Sequence, residues 1–228
     1  MSSTAIGFRD TRAARFWNAT NGKKAVMAIT GIVLFGFVIV HMLGNLQIFS
    51  GREAFNRYAE LLRVEPALLW AARLVLLVSV LVHIWASFRL MQLNKLTARP
   101  VGYVKKKNSG SSYASRTMYW SGPIIAAFVI YHLMQFTWGV GGTDYDPKDA
   151  YGNVVRGFRV APIAIAYIIA MGLLLLHLYH GAWSMFQTLG FTHPRYTPLL
   201  KRFAQAISIV LFAGFSAIPL SIMTGLVR

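Results

Sequence analysis

Five long apolar runs, Ala25–Phe49, Ala67–Leu90, Met118–Val140, Val160–Phe186 and Phe203–Val227, leave the 228-residue chain little choice of solvent. As a helix rising 1.5 Å per residue, each is long enough to cross a hydrocarbon core of ~30 Å. Hydrocarbon offers no partner to a backbone amide, so such a segment must satisfy its own hydrogen bonds, as a helix does. Hydrophobic residues make up 56% of the chain and charged residues 13%, too little polar surface for a protein soluble on its own. The expected fold is an all-α integral membrane protein, a single domain over residues 1–228 with five transmembrane helices, four of them forming a bundle.

Lys23 and Lys24 precede the first run in the manner of a signal peptide. The run is longer than the ~7–15 apolar residues of such a peptide and lacks a small-x-small cleavage site after it, so it is expected to remain as a helix. Orientation follows from lysine and arginine. With the N-terminus cytoplasmic, most of the 23 fall on the inner side, including Arg9, Arg12, Arg15, Lys95, Arg99, Lys105, Lys106 and Lys107. All the acids except Asp10 fall outside, and the C-terminus lies outside too. The net charge of +16 thus belongs mainly to one face, suited to anionic lipid and to an acidic cytoplasmic partner. Nucleic acid is not expected as a partner, because the basic residues sit in short loops without a reading motif. The Asn18–Ala19–Thr20 sequon is cytoplasmic on this topology, which makes glycosylation improbable.

The chain has no cysteine. Thiolate-ligated iron–sulfur clusters, covalently attached haem and disulfides within it are therefore excluded. It also lacks a nucleotide fingerprint, a phosphate loop and a nucleophile elbow. The Gly139–Val140–Gly141–Gly142 run reads as a helix terminator.

Four histidines, His41, His83, His132 and His177, each lie about two thirds of the way along one of the first four runs. Successive membrane helices run in opposite directions. Equal placement therefore puts His41 and His132 at one depth and His83 and His177 at another, with roughly 5–10 Å of height between the two levels. Ionisable groups inside a bilayer are costly and mark function by default. Two pairs of imidazoles at two depths suit two stacked haems, each iron holding two imidazoles and no open site. Gly36, Gly44, Ser79, Ala86, Ser87 and Gly181 supply small side chains near these histidines. His180, one turn after His177, is a competing ligand or a contact for a haem propionate. His193 reads as a solvated loop residue.

Gly22–Lys23–Lys24, Met27–Ala28–Ile29–Thr30–Gly31, His41–Met42–Leu43–Gly44–Asn45–Leu46 and Gly51 through Ala54–Phe55–Asn56 together resemble the cytochrome b558 membrane subunit of succinate dehydrogenase. So do His177–x–x–His180–Gly181–x–Trp183–Ser184, Gln187–Thr188–Leu189–Gly190 and Asp149–Ala150–Tyr151–Gly152–Asn153–Val154–Val155, so the resemblance spans nearly the whole chain. It implies a five-helix, dihaem anchor of succinate:quinone oxidoreductase, an arrangement shared with some quinol:fumarate reductases, in a bacterial cytoplasmic membrane. On the family pattern His41 and His132 ligate the outer haem b, and His83 and His177 the inner. His177 is preferred because family members can have Asn at the position of His180. The resemblance further implies a flavoprotein and an iron–sulfur subunit as partners, with electrons relayed through both haems to menaquinone or ubiquinone. Assembly of the complex into a higher oligomer is left open. The chain would not bind the dicarboxylate. Asn45, Glu60 and Glu65 are candidates for the quinone pocket or its proton supply. Some dihaem fumarate reductases carry a glutamate two residues before the fourth ligand; Leu175 stands there, against a compensating proton path.

Two other readings compete. One is the anchor of a different quinone-linked dehydrogenase, such as a hydrogenase or formate dehydrogenase. The other is a haem-free transporter, which would show intramembrane carboxylates or broken helices at a midplane site.

Overall fold

A computed structural model describes residues 16–17, 19–94 and 113–228. Asn18 and the basic residues Arg9, Arg12, Arg15, Lys95, Arg99, Lys105, Lys106 and Lys107 lie outside the described residues. Within them every regular element is helical. Helix α1 spans Thr20–Asn45 and continues as a 3₁₀ turn over Leu46–Ser50, which stops at Gly51 with φ +95°. The short α2 (Arg52–Leu61) leads to α3 (Pro66–Gln92), and α4 (Tyr113–Phe136) is followed by a second short helix, α5 (Ala150–Arg159). The chain ends with α6 (Ala161–Thr188) and α7 (Thr197–Met223). Helices α3, α6 and α7 each have proline in the first turn, where its missing N–H costs no intrahelical bond.

Among the described residues four segments, Thr20–Ser50, Pro66–Gln92, Ala161–Thr188 and Thr197–Met223, are long and apolar enough to cross a membrane. The expected third crossing, 118–140, corresponds to α4, whose 24 residues end at Phe136. Its first half carries Arg116, Thr117, Ser121 and Pro123, and its second half His132 and Gln135, which dilute its apolarity below that of the others. The remaining helices begin and end within a few residues of the expected bounds, except that α1 and α7 start earlier. There the backbone stays helical through polar residues that an apolar run does not include.

Packing follows membrane rules. Large apolar side chains such as Ile29, Val40, Leu74, Leu77 and Ile169 point outward, whereas Ser79, Ala86, Ser121, Ala164, Ala204, Ser208 and Ser216 are buried between helices. Helices α6 and α7 pack along their length in antiparallel fashion, with Phe186 against Phe203 and Gly172 against Phe212. Helix α1 packs on α3, α6 and α7, and α4 packs on α6. The pairs α1–α4 and α3–α6 are not closely packed.

A buried apolar cluster lies at one end of the bundle, where Ile48, Phe55, Tyr151, Val155, Phe158, Tyr167, Ile218 and Ile222 meet. The two short helices contribute Phe55, Tyr151, Val155 and Phe158 to it, and polar loop sequence conceals them from a reading of apolar runs. Tyr58 of α2 reaches Gly44 so closely that a Cβ there would fall on the tyrosine hydroxyl. Gly44 thus serves this docking, rather than making room for a flat group beside His41.

The glycine run after α4 terminates that helix as expected: the Trp138 and Val140 amides turn back to the Leu133 and Met134 carbonyls, and Gly139 and Gly142 adopt φ +69° and +86°. Gly141 has a separate role. A Cβ there would lie 2.5 Å from the Cα of Gln135, so Gly141→Ala must displace backbone. We expect a loss of about 1–3 kcal/mol, typical of overpacking, read as a lower unfolding temperature in detergent.

Candidate functional site

The histidines His41, His83, His132 and His177, each on a different long helix, meet in two pairs. The rings of His41 (α1) and His132 (α4) have centroids 5.7 Å apart and planes at 89°. Those of His83 (α3) and His177 (α6) are 6.4 Å apart and inclined at 54°. In each pair the imidazoles reach toward one another from helices that are not closely packed. The partners are those that equal depth predicts, and it is His177 rather than His180 whose ring faces His83.

Cross-helix contacts set the levels. Thr30 on α1 contacts His83, and Tyr167 on α6 contacts His132. Along α1 from Thr30 to His41, and along α6 from Tyr167 to His177, the rise between levels is about 15 Å. That exceeds the expected 5–10 Å. Helices of 26–28 residues are longer than the hydrocarbon core requires, so counting inward from core-length ends brought the levels too close together.

Aromatic side chains wall the first level. Phe37 stacks on His41 at 5.2 Å with Phe215 at 6.0 Å, and Phe128, Phe136 and Tyr167 surround His132 at 6.1, 5.5 and 6.0 Å. The Tyr167 hydroxyl donates to Gln135 Oε1 at 2.9 Å and lies 3.3 Å from His132 Nδ1. At the second level Thr30 Oγ1 donates to the Val26 carbonyl at 2.9 Å and lies 3.2 Å from His83 Nδ1. Gly31 rests against the same ring. The Nδ1 of His177 is buried without a protein partner.

The geometry suits a metal held between two imidazoles. Two metal–nitrogen bonds of about 2 Å, plus a ring radius on each side, set ring centres about 6 Å apart. Among the described residues, no group of three or more His, Cys, Asp or Glu could hold a metal ion. Two imidazoles per level would fit a metal whose other ligands come with a cofactor, as in an iron porphyrin, with His41 and His132 holding one and His83 and His177 the other. Neither α1 and α4 nor α3 and α6 pack closely on each other. A Cβ at Gly36 or Gly181 would meet nothing within 4 Å, while Ser79 and Ala86 are buried.

The other candidates are placed differently. Asn45 Nδ2 donates to the His41 carbonyl at 2.7 Å and lies 3.3–3.4 Å from the His41 ring nitrogens, so it is tied to its own helix. Glu60 is exposed on α2, in an open groove with Arg52, Glu53, Asn56 and Arg57. Glu65 is exposed at the start of α3. His193 accepts from the Arg195 amide at 3.2 Å and stacks on Tyr196, holding its loop.

Sequence reasoning gave no role to Thr30, Gln135 or Tyr167. Hydroxyls and amides in membrane helices commonly bond across to a neighbouring helix, and Tyr167 lies ten residues before His177, close to the span that separates the two levels. Asp149 was likewise a motif residue without a function. It caps α5 by accepting from the Gly152 amide at 3.0 Å, and it binds Arg52 at 2.6 Å, Asn56 at 3.1 Å and Arg156 at 3.5 Å. This joins α2 to α5 over the His41–His132 level.

The chain matches no family model, no curated protein and no solved structure in the comparisons made with it.

Proposed function

We propose that this chain is the dihaem cytochrome b membrane anchor of a succinate:quinone oxidoreductase. The observation that carries the reading is the pair of facing imidazoles at each of two levels, reaching between helices that do not pack closely. The sequence resemblance adds the identity of the complex. His41 and His132 would hold one b haem and His83 and His177 the other. When bound, such a group supplies one-electron exchange between ferric and ferrous iron.

The chain's own residues account for the rest. Two imidazoles per iron leave no coordination position for oxygen, which favours electron transfer over oxygen chemistry. Phe37, Phe128, Phe136 and Phe215 exclude water around His41 and His132. Helix α4, about 36 Å long at 24 residues, makes the fifth crossing beside α6; its polar first half is sheltered in part by burial of Ala114, Thr117 and Ser121. The N-terminus is cytoplasmic, the His83–His177 level is nearer that side, and the basic inner loops dock an iron–sulfur subunit that receives electrons from a succinate-oxidising flavoprotein. The electron acceptor is a quinone, with Asn45, Glu60 and Glu65 as candidates for contact or proton supply.

The test is a haem and flavin assay on the complex purified through this chain from its native membrane. Two b haems per chain, reduced-state b-type absorption bands and a co-purifying flavin-containing succinate oxidase are expected. A colourless preparation overturns the haem assignment, and a coloured one whose partner oxidises another substrate overturns the assignment to succinate.

A further inference from the structure

Each histidine level contains one imidazole that meets a hydroxyl from a third helix. At the first level it is His132, 3.3 Å from the Tyr167 hydroxyl on α6. At the second it is His83, 3.2 Å from Thr30 Oγ1 on α1. Among the described residues the other two imidazoles have no hydroxyl of this kind: His41 has the Asn45 amide, and His177 Nδ1 is buried without a partner there.

A hydroxyl has a single hydrogen. That of Tyr167 goes to Gln135 Oε1 at 2.9 Å, in a site where Gln135 is only 2% exposed. The hydrogen of Thr30 goes back along its own helix, to the Val26 carbonyl at 2.9 Å or the Met27 carbonyl at 3.1 Å. Toward the imidazole each oxygen can then only accept. The facing nitrogen, Nδ1, must carry the hydrogen, and a neutral imidazole protonated at Nδ1 has its lone pair on Nε2.

We infer that Tyr167 and Thr30 are positioning residues, which fix His132 and His83 in the tautomer whose Nε2 is free to bind a metal. The inference rests on the haem reading and assigns the device that orients one ligand of each pair. The arrangement is reciprocal between the two central helices. Helix α1 supplies His41 to the first level and steers His83 at the second; α6 supplies His177 to the second level and steers His132 at the first. An acceptor on the distal N–H of a ligating imidazole also raises its basicity, which favours the more highly charged ferric state.

The test uses the purified complex with Tyr167→Phe, Thr30→Val or Thr30→Ser, read by haem content and by a redox titration of each haem. Assignment of each haem to a level comes from variants of the ligands themselves. Tyr167→Phe is expected to shift only the haem of the His41–His132 level toward ferrous, by about tenfold in the ferrous-to-ferric ratio at fixed potential, which is 59 mV for one electron. Thr30→Val should do the same only at the His83–His177 level, and Thr30→Ser should restore the wild-type value. The threonine arm is isosteric, so it remains decisive should the Tyr167→Phe complex fail to assemble. Wild-type haem content with both titrations moved less than twofold, or a shift at the wrong level, overturns the inference while leaving the haem reading intact. A wild-type complex without haem overturns both.

Discussion

His41→Ala and His132→Ala are expected to abolish the same haem signal, and His83→Ala and His177→Ala the other, each variant retaining about half of the wild-type haem. The pairing comes from ring contacts at 5.7 and 6.4 Å, so loss of either member leaves one imidazole facing a void too wide for it to bridge alone. The two levels are about 15 Å apart along α1 and α6, and sites at such separation with different neighbours are close to independent. The surviving haem therefore also reports that the variant has folded. His180→Ala should keep both signals, because the ring that faces His83 is that of His177. Loss of a signal in His180→Ala with its retention in His177→Ala would reverse the assignment of the fourth ligand. Loss of both haems from every single variant would mean one coupled centre rather than two.

What could be read from the residues, and what could not, divides along physical lines. Apolar length is a local property, and each run it marks falls on a long helix among the described residues, four of them apolar enough to cross a membrane. Histidine depth is nearly local, since antiparallel threading converts position along a run into height, and the rings it brings to one depth are those in contact, His41 with His132 and His83 with His177. The interval between levels was underestimated because hydrophobic thickness does not bound helix length: α6 runs for 28 residues. The capping layer was missed altogether. Its helices α2 and α5 are short and amphipathic, and their apolar sides, with Phe55, Tyr151, Val155 and Phe158, make sense only against each other and the bundle end. Thr30, Gln135 and Tyr167 were missed for a related reason. Which hydroxyl meets which ring depends on helix rotation and on which helices are neighbours, neither of which a spacing encodes.

Among the described residues the ion pairs of the capping layer converge on Asp149, so Asp149→Ala should loosen it as a unit. The carboxylate accepts from Arg52, Arg156, Asn56 and the Gly152 amide, and its side chain is 15% exposed against 57% for Arg52. The exposed arginine contributes little by itself. The larger loss lies in the helix cap and in the Asn56 amide, which also orients the layer by accepting from the Tyr151 amide at 2.9 Å. Tyr151 in turn donates to the Arg228 carbonyl at 3.0 Å. Losing a cap and a charge-assisted hydrogen bond amounts to about 2–4 kcal/mol, expected as a lower unfolding temperature and faster amide exchange confined first to α2 and α5. Burial tends to raise the Asp149 pKa, but the hydrogen bonds from Asn56 and Gly152 and the charges of Arg52 and Arg156 outweigh it and hold the carboxyl below its ordinary value of 3.8. A depressed folded-state pKa contributes stability that is complete above the unfolded value and is lost as pH falls through the folded one. The gap between wild type and Asp149→Ala should therefore be constant from neutrality down to about pH 4 and close only below it. Asp149→Asn, which keeps an acceptor for Gly152 but not the charge, should fall between the two. A gap that narrowed between pH 7 and 5 would assign the clamp to a different titrating group, and one unchanged through strong acid would leave geometry, with no contribution from charge, as the force that holds the layer down.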